Sequence, residues 1–147
     1  MRGRRLAAVV AAALLVAGAA CSRDKGSDEA FCKEVARTPT LESVVTGFAE
    51  ADPEELDTRL DAARAAYDRL RHAAPGAIRS DVGAVVDLAD EVIGAVADHH
   101  DDPEAVAAQL RTSVARHEGA AGSSAKVVDY ARRTCGVDLN PVVADGG

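Results

Sequence analysis

Between residues 52 and 99 the apolar side chains recur at steps of four and three, broken once by Pro75-Gly76, and this pattern restricts the chain more than any other feature. In "DPEELDTRLDAARAAYDRLRHAAPG" the residues Leu56, Leu60, Ala63, Tyr67, Leu70 and Ala74 fall on one stripe of a helix. Asp52 is placed to cap it, Pro53 fits the first turn where its missing N–H is harmless, and Glu55 sits at the third helical position. In "AIRSDVGAVVDLADEVIGAVADHHDD" the stripe is Ile78, Val82, Val85, Ala89, Val92 and Val96, widened by Val86 and Ile93. Two such stripes joined by a tight turn predict an antiparallel helical hairpin.

The flanking segments extend the pattern. Asp102, Pro103 and Glu104 open a further helix carrying Val106, Leu110 and Val114 as far as Gly119. A last helix is expected after "GSS", with Val127 or Val128, Ala131 and Cys135 on one face and Gly136 as a left-handed stop. Ahead of the hairpin, Phe31, Cys32 and Val35 predict a short helix, Pro39 interrupts it, and Leu41, Val44, Val45 and Phe48 form a second short piece. Alanine, the best helix former, dominates the apolar residues, and no period-two stretch is long enough for a strand. The expectation is an all-α fold: a small bundle of about four main helices over residues 29–136, with a polar tether at 21–28 and a loose tail at 137–147.

The N-terminus has a different character. Arg2, Arg4 and Arg5 precede fifteen uncharged residues, Leu6 to Ala20, which is the layout of a cleavable signal and too short for a permanent span. The stretch "AGAAC" resembles a bacterial lipobox through Ala19, Ala20 and Cys21, with Gly18 in place of the preferred leucine. That resemblance implies cleavage before Cys21 and a lipid on its thiol; simple secretion or an uncleaved signal anchor are the alternatives. Cleavage there would remove 20 of the 147 residues, with three of the 17 basic residues and none of the 24 acids. The remaining chain carries a formal charge of −10, three units below the −7 of the whole. Phosphate backbones and anionic lipid surfaces repel such a chain, so nucleic acid is not an expected partner, and membrane contact is expected through the N-terminal lipid.

With Cys21 carrying lipid, Cys32 and Cys135 remain, an even number in a compartment that permits disulfides. A bridge between them would staple the first helix to the last; the other reading is two separate buried thiols. The combination of "FC" at Phe31-Cys32, "AAP" at Ala73 to Pro75 and "YARRTCGVDL" from Tyr130 to Leu139 resembles small secreted proteins and lipoproteins of high-GC Gram-positive bacteria, many of unknown function. Arg outnumbers Lys 14 to 3, in keeping with GC-rich coding. The resemblance implies a disulfide-stapled helical fold on the outer face of the cytoplasmic membrane, and no reaction.

Candidate chemistry is sparse. "DHHDD" offers His99, His100, Asp101 and Asp102 as metal ligands, but neighbouring helical residues point about 100° apart, and a helix end followed by a capping acid explains the same letters. From Ser80 to Leu110 there are eight acids and no Lys or Arg; Asp87, Glu91 and Asp98 share one helical face, readable as an acidic interaction surface or as a solvated face. No nucleophile elbow or phosphate-binding glycine loop is present. These observations lead to the expectation of a lipid-anchored binding or scaffolding module with a protein or cell-envelope partner, not an enzyme, and without a cofactor. The alternative is a ligand or metal carrier using the His99–Asp102 corner or a cavity between the alanine-rich helices.

Overall fold

The computed structural model describes residues 26–139. The signal segment, Cys21, most of the expected tether and residues 140–147 lie outside the described residues. Six α-helices follow in order: α1 (Asp28–Val35), α2 (Leu41–Val45), α3 (Pro53–Ala73), α4 (Arg79–His99), α5 (Pro103–Arg116) and α6 (Ala120–Cys135). A 3-10 turn at Phe48–Glu50 joins α2 to α3, and among the described residues there is no strand. The all-α bundle is as expected, with six helices where four main ones were anticipated.

Local chemistry sets most of the helix boundaries. Ser27 accepts the Ala30 N–H at 3.2 Å, so part of the expected tether already caps α1. Gly26 packs so closely on α3 that a Cβ would collide with the Ala73 and Ala74 carbonyls. Thr40 caps α2 through Ser43 N–H at 3.2 Å, immediately after the Pro39 break. Asp52 accepts from Glu54 and Glu55 N–H at 3.0 and 3.2 Å, and Asp102 from Ala105 N–H at 3.0 Å, each followed by Pro at the first helical position. At the other end, Gly136 takes φ +65° and donates to the Arg132 carbonyl at 3.1 Å, closing α6.

Helix α4 is the centre of the bundle, packed by α3, α5 and α6. Every residue of the two predicted stripes is buried, and Leu88 and Ala95 join them, because a helix with neighbours on three sides needs a wider apolar surface than one stripe. Truncating a fully buried member such as Leu60 to alanine would cost about 2–5 kcal/mol. Two segments depart from the expected pattern. Helix α6 begins at Ala120, ahead of "GSS", because Ala120 is buried and Ser123 is held inside the helix by its bond to Asp81 at 3.0 Å. In α5, Val114 is 51 % exposed while the neighbouring Ser113 is fully buried, so the inward face runs Val106, Leu110, Ser113.

The first and last helices are joined covalently. Cys32 and Cys135 form a disulfide with a Cα–Cα separation of 5.3 Å, closing a loop of 103 residues. Beside it, Phe31 meets Tyr130 edge-to-face with ring centroids 5.6 Å apart, and the Tyr130 hydroxyl donates to Asp28 at 2.7 Å. Val137 and Leu139 continue past α6 and pack against the core, so the first residues of the expected tail belong to the bundle.

Candidate functional site: an apolar pocket beside the Pro39 break

Where Pro39 separates α1 from α2, the chain crosses the bundle without filling the space beneath it. The result is a pocket of about 240 Å³. Its apolar wall is Tyr67 and Leu70 from α3, Val85 from α4, and Val127 and Val128 from α6. Val35, Leu41 and Leu139 close its sides, and Thr38, Thr40, Glu42 and Ser124 supply its polar atoms. The volume exceeds the roughly 150 Å³ of a cavity that accepts benzene but falls short of the ~300 Å³ at which drug-sized sites begin. It therefore suits one short chain or one large apolar side chain.

Tyr67 organises this site. Its ring is 3 % exposed, and its hydroxyl donates to the Pro39 carbonyl at 3.0 Å, holding the break against α3. Burial pushes the phenol up to about 12. Thr38 donates its hydroxyl to the Glu34 carbonyl at 2.9 Å, and the Thr40 oxygen accepts from Ser43 N–H. The polar groups of the rim are thus largely engaged in holding the backbone around the opening.

A second arrangement joins α4 to α5. Glu91 Oε1 receives Arg116 at 3.1 Å and His117 Nε2 at 3.0 Å. The buried Ser113 hydroxyl next to the carboxylate is the largest influence holding Glu91 below the usual carboxylate range, followed by His117. The Ser113 contact is nevertheless loose: among the described residues neither Ser113 Oγ nor the buried Glu91 Oε2 completes a hydrogen bond of good geometry. A Ser–His–Glu set invites comparison with a hydrolytic triad. Here the carboxylate, not the imidazole, adjoins the hydroxyl, and Ser113 is fully buried, so the cluster fastens α5 and presents no nucleophile.

The acids singled out from sequence are separated by their partners. Asp87 is paired with Arg71 of α3 at 2.6 Å, Glu91 with Arg116 and with His117 at the end of α5, and Asp98 is exposed. Arg71, Arg116 and His117, all distant in sequence, thus partner two of the three acids of that face. His99 ends α4, His100 follows it, Asp101 is exposed, and Asp102 caps α5. Among the described residues no group of three or more His, Cys, Asp or Glu side chains is placed to hold a metal ion. The groove between α1 and α3 is more open than the pocket and carries the charged or ionisable side chains of Lys33, Glu34, Asp68, Arg69 and His72, with Arg69 paired to Glu34 at 3.3 Å.

A cavity between alanine-rich helices belongs to the sequence reading only within the alternative of a carrier, and among the described residues no alanine lines the pocket found here. The pocket needed five helices, the linker residues 38–40 and Leu139 brought together, and the local signal was a proline break opposite a tyrosine. Among the described residues no helix is long and apolar enough to cross a membrane, and the disulfide is compatible with an extracytoplasmic location. Comparison with protein-family models, curated proteins and solved structures found no match.

Proposed function

We propose that this chain is a lipid-anchored, extracytoplasmic binding module of the cell envelope, and that its binding site is the pocket beside Pro39. The single observation that carries the reading is the open apolar cavity of about 240 Å³ in a bundle whose remaining stripes are tightly buried. Protein interiors leave few voids larger than a water molecule, and the lost contacts of an unfilled apolar one are a cost that a ligand recovers. The anchor rests on the Arg-rich start, the uncharged run to Ala20 and the lipobox-like Ala19-Ala20-Cys21. The disulfide agrees with export, and the strongly acidic domain leaves a lipid as the means of holding it at the membrane.

Two measurements test the two halves. Intact-mass analysis of membrane-extracted protein should find a diacylglycerol adduct on an N-terminal Cys21; a Cys21→Ala chain that remained equally membrane-bound after export would remove the anchor. A short alkyl probe should bind the exported chain at one site and be displaced by Val128→Phe, which fills the pocket from its partly exposed side. Binding unaffected by that substitution would remove the pocket.

A further inference from the structure

The charge and hydrogen-bonding character of the opening specify the ligand's head group, an inference that rests on the pocket being a binding site. Among the described residues lining it there is no Lys, Arg or His, and Glu42 is the one charged side chain. Glu42 is exposed at the start of α2 and makes no ion pair among the described residues. The hydroxyl donors of Thr38 and Tyr67 are already committed to the backbone carbonyls of Glu34 and Pro39. The opening therefore meets a head group with an unpaired carboxylate while two of its donors are engaged. A carboxylate or phosphate head would find no cation there and would face Glu42 directly.

We propose that the pocket takes an amphiphile with a short alkyl end and a cationic, hydrogen-bond-donating head: the alkyl end enters between Tyr67, Leu70, Val85 and Val127, and the ammonium stays at the mouth beside Glu42. The size agrees, because about 240 Å³ holds the end of a chain and leaves the head in water. A charged head kept at the surface avoids the cost of burying an ion. The negative domain adds a long-range attraction for cations that weakens with salt.

Calorimetric titration of the exported, oxidised Cys21→Ala chain in detergent-free, low-salt buffer tests this, using hexylammonium, octylammonium, 1-octanol and octanoate. Affinity should rise about fourfold per methylene from hexyl to octyl. Octylammonium should bind up to about fivefold more tightly than octanol, octanoate should be weakest, and the ammonium preference should shrink in salt. Glu42→Gln, an exposed change that leaves the pocket intact, should equalise octylammonium and octanol. Val128→Phe and, separately, Leu139→Phe should weaken all the probes, so the test does not depend on one variant folding. Octanoate binding as tightly as octylammonium, or a preference that survives Glu42→Gln, would overturn the head-group assignment while leaving the pocket standing. No binding by any probe, or binding indifferent to both filling variants, would overturn the pocket and the inference together.

Discussion

Tyr67 and Pro39 are 28 residues apart in sequence, and the phenol of the first donates to the carbonyl of the second at 3.0 Å. This bond fixes the break between α1 and α2 and so keeps the pocket beneath it open. Tyr67→Phe preserves the ring and removes the donor, leaving the Pro39 carbonyl with one partner fewer. Denaturant unfolding should show a loss of about 1 kcal/mol, with faster amide exchange confined to the Thr38–Glu42 region. Unchanged exchange there would mean that the bond does not hold the break.

The same phenol gives an alkaline transition. Burial raises Tyr67 to about 12 in the folded chain, so its neutral form is favoured by folding. The contribution is complete below the ordinary tyrosine value near pH 10 and is lost as pH rises toward about 12. The shift corresponds to about 3 kcal/mol, and with only two tyrosines present the tyrosinate absorbance of Tyr67→Phe isolates it. Wild-type Tyr67 ionising near pH 10 with no loss of stability would contradict the burial.

Glu91 predicts the opposite dependence. Its folded value is depressed, so its contribution is present above the ordinary glutamate value of about 4.3 and is lost as pH falls through the lower folded value. Exchange protection of α5 should fall in acid in the wild type and change less in Glu91→Gln. Glu91→Ala should cost about 1–2 kcal/mol at neutral pH, since it strips the partner from Arg116 and His117 and leaves Ser113 buried without it. Equal acid sensitivity of α5 in wild type and Glu91→Gln would assign the effect elsewhere.

Arg59 on α3 is half-buried, and its Nε and one terminal nitrogen are shielded without a hydrogen-bond partner among the described residues. Arg59→Met keeps the aliphatic stem and removes the unpaired donors, so thermal unfolding should shift upward by the equivalent of about 1 kcal/mol. A downward shift of that size would show that the guanidinium contributes more than its shielded atoms cost.

The disulfide predicts a larger effect. Cys32→Ser/Cys135→Ser should lower stability by about 2–5 kcal/mol, in line with a loop of 103 residues. A double serine chain unfolding at the same denaturant concentration as the oxidised wild type would contradict this.

The parts legible in the sequence were those governed by local periodicity and capping. Leu56 to Ala74 and Ile78 to Val96 announce their buried faces because both apolar content and spacing agree, and Asp52 and Asp102 announce helix starts because each precedes a proline. Helix α5 was misread by one position: Val114 looks like the inward residue, but Ser113 is drawn inward beside Glu91, and hydropathy does not register a partner on another helix. The partners of the acids were hidden for the same reason, since Arg71 and Arg116 approach Asp87 and Glu91 from elements remote in sequence. The pocket is a space between side chains, specified by how five helices and two connecting stretches meet and by no one of them.

The most direct test of the account is methyl-resolved NMR of the oxidised wild-type chain titrated with octylammonium. The account predicts saturable shifts confined to Val35, Leu41, Leu70, Val85, Val127, Val128 and Leu139, with Val106 and Val114 unmoved. Shifts scattered over the surface, or absent from these methyls at saturation, would contradict it.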